Sequence, residues 1–482
     1  MQPQSQNIAK NTTWLTSAYV WQKIFAFIYF TIIARILGAN DIGLFVFAIS
    51  LTTIMSVFID FGLSPVLIRE SAKYKEKANN FLNNIITVKL IFSIITFFLV
   101  AIIINLLNKP TIVQTMVYLA GLVMILDSFT LSFWGIFRAW QNLKYEAISI
   151  TINQILIVIV GLAGVFLKFP LYVLVLALLA GSLFSFVYSL FLIKLKLKFK
   201  FKLVWHKTTL KKLFIIALPF AFAGIFTRVY NYIDQVLLSI LIGDQSLGWY
   251  SVAYKMTYAL QFIPAAFAAA LFPAMSNFYL EQKDKLKMVF EQSMYLLIII
   301  SVPIAFGVLI LADKFIIFLY TTEYQPSILT LQIFIFAVIA IFASYPIGSI
   351  LNACDKQTIN TINMGIVMII NILLNIILIP IYQHIGAAIA ALVSLSFLVI
   401  LNLYWVPKII KYNYKFLILK LIKALVSSLI MTGIIIYFKQ TLNFIILVIL
   451  GSIIYTFILF IIKGITINDA KYIWKAVFKK QI

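Results

Sequence analysis

The segment "TRVYNYIDQV" (227–236) sets an arginine and an aspartate in the middle of a long apolar stretch. At 100° per residue, Ala221, Gly224, Arg228, Asn231, Tyr232 and Gln235 share one helical stripe, small at one end and polar at the other. A guanidinium on such a face suits oxyanion chemistry, because its fork of donors matches a phosphate bidentately. The bland alternative is an interior cation that an ion pair or backbone carbonyls satisfy. Lys23 occupies a similar stripe with Thr12, Thr16 and Tyr19. Three carboxylates also fall inside apolar stretches: Asp60 (with Thr53, Ser56 and Ser64 on its face), Asp127 beside Ser128, and Asp234. Each can exchange a proton or sodium ion, or simply pair with a cation, and both readings stand. Asp234 lies six residues beyond Arg228, roughly 120° around and about 9 Å along the helix, so the two need not neutralise each other. Lys89 and Lys255 fall within about two turns of a membrane surface and are expected to snorkel.

These residues need a membrane to sit in, and the composition supplies one. The 482 residues are 63% hydrophobic and 11% charged, against about half and about a quarter for a soluble domain. Runs of about 20 apolar residues mark about fourteen spans: 12–37, 42–66, 81–106, 112–137, 147–167, 171–193, 213–242, 248–275, 291–312, 327–352, 358–379, 386–406, 417–438 and 443–462. The start, "MQPQSQNIAKNTTW", lacks a signal-peptide pattern, so the first span is expected to be retained.

The net charge of +23 does not indicate nucleic acid, because the basic residues sit in short connections between spans. With the N-terminus inside, 29 of the 38 Lys and Arg fall on inward segments, 5 on outward ones and 4 within helices. That bias predicts a multi-pass protein of the cell (cytoplasmic) membrane with both termini cytoplasmic. The richest basic stretch, "KLKLKFKFKLVWHKTTLKK" (194–212), alternates Lys with apolar residues. It suits either a solvated linker or a segment lying on anionic headgroups. The lone Cys354 excludes an internal disulfide, and His206 and His384 keep no ligand-like company, so no metal or cofactor is expected.

A shift of 205 residues lays 20–48 on 225–253, matching Gly38 with Gly243, Gly43 with Gly248, and Lys23 with Arg228. The two copies share one orientation. They predict an all-α membrane protein of two parallel six-helix bundles plus two C-terminal helices. The boundaries are 1–195 for the first bundle, 196–212 for the basic linker, 213–410 for the second bundle, and 411–482 for the extra helices with a basic tail.

Several segments resemble the polysaccharide flippase branch of the multidrug/oligosaccharidyl-lipid/polysaccharide exporter superfamily. They are "ARILGANDIGLFVFAISL" (34–51), "DFGLSPVLIRE" (60–70), "LFPAMSNF" (271–278) and the stretch from "GSILNACDKQ" to "GAAIAALVS" (348–394). The likeness spans most of residues 10–406. It departs from the family after the "NA.G" turn, where "ACDK" replaces the usual glycine and only Lys356 remains of the basic residues. The resemblance implies bundles around a central cavity and alternating access by rocking. The cargo it implies is an oligosaccharide on a polyprenyl phosphate or pyrophosphate, carried outward, with other polysaccharide-assembly proteins as further partners. Sodium, protons or the membrane potential are the energy sources it leaves open.

A lipid II flippase fits the same features. A drug/cation antiporter fits less well, since cationic drugs suit an acidic cavity. A membrane glycosyltransferase fits least, for want of a large outer loop carrying acidic or histidine chemistry.

Overall fold

The computed structural model describes residues 4–465, with the side chains of 4–13, 270 and 281 left aside. The side chain of Thr12 and most of the basic C-terminal tail therefore lie outside what is described. Helices account for all regular structure among the described residues. In chain order they are α1 (Gln4–Asp60), α2 (Leu63–Lys73), α3 (Ala78–Leu106), α4 (Thr111–Ala139), α5 (Lys144–Phe166), α6 (Val173–Lys196), α7 (Lys207–Leu241) and α8 (Asp244–Ala259). There follow α9 (Phe262–Glu281), α10 (Lys283–Tyr320), α11 (Ser327–Phe334), α12 (Ala337–Ala353), α13 (Gln357–Leu403), α14 (Tyr414–Phe438) and α15 (Phe444–Ile461).

Among the described residues, twelve helical segments are long and apolar enough to cross a membrane. Two of them, Trp14–Asp60 (47 residues) and Gln357–Lys408 (52 residues), are too long for one crossing. At 1.5 Å per residue each would extend about 70 Å, more than twice a hydrocarbon core of about 30 Å. Each is broken inside: α1 at Gly38 (φ 83°) and α13 at Gln383 (φ 52°). At the second break the chain doubles back, since a Cβ on Gly386 would lie 2.2 Å from the carbonyl oxygen of Leu378. Counting each broken helix as two crossings gives the fourteen spans expected from hydropathy. The second span ends sooner than expected, at Asp60, because Phe61 (φ 42°) and Gly62 (φ 71°) turn the chain into α2.

The repeat is visible in the backbone. Gly38 and its counterpart Gly243 both adopt positive φ, 83° and 128°, at the break after the first helix of each copy. Glycine tolerates this region because it has no Cβ.

The residues pack as two compact units. One comprises the described residues up to Val252 with Met364–Ala387; the other comprises Ala253–Asn363 and the described residues from Ala388 onward. In the first, α5 packs on α6 and α1, α4 on α6 and α1, and α1 on α7. In the second, α10 packs on α14, α12 and α9, and α15 on α14. Tyr455 of α15 donates to the Ile299 carbonyl of α10 (2.8 Å), and Tyr295 of α10 donates to the Gly464 carbonyl (2.9 Å). Buried tyrosines thus fix the last helix, α15, and the turn after it to α10 by their polar tips.

The basic linker is extended between the end of α6 at Lys196 and the start of α7 at Lys207. Side chains of α3 hold it: Asn83 donates to the Lys200 carbonyl (2.9 Å), the Val204 amide donates to Thr87 (3.0 Å), and the His206 amide donates to Asn84 (2.9 Å). Leu197, Phe199 and Phe201 turn inward onto the core, while Lys198, Lys200 and Lys202 are exposed. The period of two in the sequence is therefore realised as a two-faced strap.

Candidate functional site

Arg228 sits on α7 and reaches across to the second half of α1. Its Nη1 donates to the Thr53 carbonyl (3.3 Å) and to the Ser56 hydroxyl. Ser56 in turn donates to the same carbonyl at 2.7 Å. Among the described residues, no carboxylate pairs with this arginine within 4.0 Å. A charged side chain at bilayer depth costs a few kcal/mol and generally faces protein interior or an aqueous cavity. Here it meets neutral acceptors only, through one of its three nitrogens.

The neighbouring carboxylates are engaged elsewhere. Asp60, the last residue of α1, pairs with Lys89 of α3 at 2.7 Å and accepts from Ser64 of α2. Lys89 also donates to Ser64 (3.1 Å) and to the Ser128 carbonyl of α4 (2.7 Å). Lys89 therefore does not snorkel: its side chain is 0% exposed. Its stem cannot follow the helix out to water because α2 and α4 close over it, and the Asp60 charge compensates the desolvation. Asp127 of α4 lies within electrostatic reach of Arg228. Its side chain is exposed at the protein surface.

Asp234 turns away from this group. It is buried, accepts from the Tyr250 hydroxyl of α8, and accepts from the Gln235 amide at 2.8 Å. Gln235 is buried too, taking a 2.7 Å bond from Ser50 of α1 and donating to the Asn231 carbonyl at 3.4 Å. Asn231 and Tyr232 are half-buried, and Tyr232 lies within electrostatic reach of Arg228.

Tyr19 belongs to a third cluster. Arg138 Nε donates to Glu146 Oε2 (2.9 Å), Arg138 Nη2 donates to the Tyr19 hydroxyl (3.3 Å), and Tyr19 donates to Glu146 Oε1 (3.5 Å). Lys23, one turn along α1 from Tyr19, is exposed and shares no hydrogen bond or ion pair with Arg228. The structure thus gathers Arg228, Asp60, Lys89 and Asp127, and separates from them Asp234 with Gln235, Tyr19, and Lys23. Among the described residues, no group of three or more His, Cys, Asp or Glu is placed to hold a metal ion.

A sequence profile described as "Polysaccharide biosynthesis protein" matches residues 8–279, more than half of the chain. The chain belongs to this family. A second profile, MatE, matches residues 219–377. The capsular polysaccharide biosynthesis protein CapF of Staphylococcus aureus is 23% identical over 410 residues, covering 83% of this chain and 99% of that protein. The probable low-salt glycan biosynthesis flippase Agl15 of Haloferax volcanii is 23% identical over 442 residues, covering 90% of each. Among solved structures, the lipid II flippase MurJ in an inward closed conformation superposes with a TM-score of 0.77 at 17% identity, covering 96% of this chain and 99% of that one. This last likeness shows a shared two-repeat fold.

Ion pairs that the sequence did not reveal include Lys89 with Asp60, Arg138 with Glu146, and Lys109 with Asp244 (3.0 Å). One signal was available for the first. Lys89, Ser93 and Thr96 stand at helical spacing on α3, and all three are buried. A polar stripe in an apolar helix points to protein rather than lipid.

Proposed function

We propose that the protein is a flippase that moves polyprenyl-phosphate- or pyrophosphate-linked oligosaccharide from the cytoplasmic to the outer membrane face by alternating access. The observation that carries this reading is Arg228, a half-buried intramembrane arginine with neutral protein acceptors and no carboxylate partner. Such a cation is electrostatically suited to an anionic headgroup that must cross a low-dielectric region. Lys23, exposed at the equivalent place in the first repeat, is proposed as the second cation on the route. Tyr232 and Asn231 supply polar contacts beside Arg228, whereas Gln235 and Tyr19 act by holding helices together. Asp127, accessible and near Arg228, is the carboxylate best placed to exchange a coupling ion. Asp60 and Asp234 are structural, through Lys89 and Tyr250. The outward-facing lysines of the strap are proposed to rest on anionic headgroups of the cytoplasmic leaflet.

The relatives named for capsular polysaccharide and glycan biosynthesis support a glycan cargo. They support a transporter rather than an enzyme. The test is depletion followed by sidedness analysis of lipid-linked sugars. The expected result is accumulation of complete lipid-linked oligosaccharide on the cytoplasmic face. Accumulation of lipid II instead would assign the protein to peptidoglycan precursor transport. Normal sidedness with missing sugar additions would overturn the transport reading.

A further inference from the structure

The arginine assigned above to the cargo phosphate is engaged in this structure with α1, through acceptors that an anion can replace. We propose that Ser56 is a positioning residue that competes with the cargo phosphate for Arg228, so that arrival of the anion loosens α7 from the second half of α1. This rests on the reading of Arg228 as the phosphate-binding cation.

The geometry supports exchange over permanent locking. Only Nη1 of Arg228 is engaged, by a carbonyl and a hydroxyl, so Nη2 and Nε keep their donors for an oxyanion. Asp60, the carboxylate in the same cluster, is occupied by Lys89 and Ser64, and Asp127 makes no ion pair with the guanidinium within 4.0 Å. Lys89 also sets a like charge within electrostatic reach of Arg228, which an incoming anion would relieve.

The position of the contact gives the exchange a mechanical consequence. α1 and α7 run antiparallel along a shared seam. At one end, Gly62 presses on α7, a Cβ there falling 2.6 Å from both the Ala217 oxygen and the Ala221 nitrogen, on either side of Pro219. Next, Gly224 admits Val57, whose Cγ2 would lie 3.2 Å from an added Cβ. Then come two polar rungs, Ser56 with Arg228 and Ser50 with Gln235. Drawing Arg228 to a phosphate removes the first polar rung, beside the stretch where Pro219 has already cost α7 a backbone hydrogen bond. Ligand binding then shifts the helix pair by its differential affinity for the free guanidinium.

The experiment uses the full-length protein in nanodiscs, with farnesyl pyrophosphate as probe and farnesol as control. Affinity is measured for wild type, S56A, S56T and R228A. Nitroxides on cysteines replacing the exposed Phe58 and Phe222, in a C354S background, report the approach of α1 to α7. S56A frees the arginine and is expected to bind pyrophosphate about three- to ten-fold more tightly. Its spin–spin broadening should be weakened before ligand is added, while S56T, which keeps the hydroxyl, should behave as wild type. R228A should lose pyrophosphate binding. Unchanged or weaker affinity in S56A alongside lost binding in R228A overturns the competition and leaves the flippase reading standing. Wild-type binding by R228A overturns the assignment of Arg228 itself.

Discussion

Gly43 and Gly248 pack reciprocally. A Cβ on Gly43 would lie 1.7 Å from the carbonyl oxygen of Asp244, and one on Gly248 would lie 1.8 Å from the carbonyl oxygen of Ala39. The 205-residue offset that pairs the two glycines also pairs Ala39 with Asp244. The two contacts are therefore the same contact seen from each repeat, and the internal duplication is also a local two-fold in space. Backbone meets backbone here, so no side chain can swing aside. Glycine is used for close approach, as membrane helix interfaces commonly do.

G43A and G248A should each destabilise the protein by about 1–3 kcal/mol, the usual cost of overpacking, and by similar amounts. Their double variant should cost less than the sum, because separating the helix ends once relieves both clashes. Thermal melts of the purified protein in one detergent check this. Additive losses would mean that the sites are independent.

The repeat was legible because glycines matched at positions where the backbone needs positive φ or close contact, and such positions admit few substitutes. The span count was legible because bilayer thickness fixes helix length. Lys89 was not. Its distance from the end of its span suggests an escape to water, but which helices close over it depends on tertiary packing. Arg228 was legible as an interior cation, since no mid-helix arginine can easily reach water. Its parking on Thr53 and Ser56 was not, since those residues also stand on the face of Asp60 and read as that carboxylate's company. Asp234 likewise carried no sign of Tyr250, sixteen residues on and across the break at Gly243.

The Asp60–Lys89 pair yields a second prediction. Removing one partner, as in K89M, leaves an uncompensated buried charge and should cost about 3–5 kcal/mol. Removing both charges, as in D60N/K89M, should recover most of that loss. The double variant should also retain transport if Asp60 is structural. Melting temperature and lipid-linked sugar sidedness are the two measurements. A stable double variant that no longer transports would make Asp60 an ion-coupling residue instead.

Lys109 and Asp244 give a third. Lys109 donates to both Asp244 oxygens (3.0 Å each) and to the Ser239 hydroxyl (2.8 Å) and carbonyl (3.0 Å), tying the α3–α4 connection to the start of α8. D244K places two cations together and should lower stability. The swap K109D/D244K should restore it only in part, because Asp244 also stands in the first turn of α8, where the helix dipole favours a negative charge. Full restoration in melts would show that the pair alone matters.

Cys354 makes the topology testable in the native background. It lies just beyond α12, 0% exposed, and burial together with the Asp355 carboxylate pushes its thiol up to about 11. The reactive species is the thiolate, so at neutral pH almost all of this cysteine is protonated, and labelling should rise only as pH climbs toward that value. Wild-type protein in intact cells should therefore stay dark to a membrane-impermeant maleimide at pH 7. Against that background Q440C, in the connection between α14 and α15, should label from outside. K200C, on the basic strap, should label only after the membrane is opened. Labelling of K200C in intact cells would invert the orientation and place the strap's lysines on the outer face. The charge bias that predicts cytoplasmic termini would then have failed for this chain.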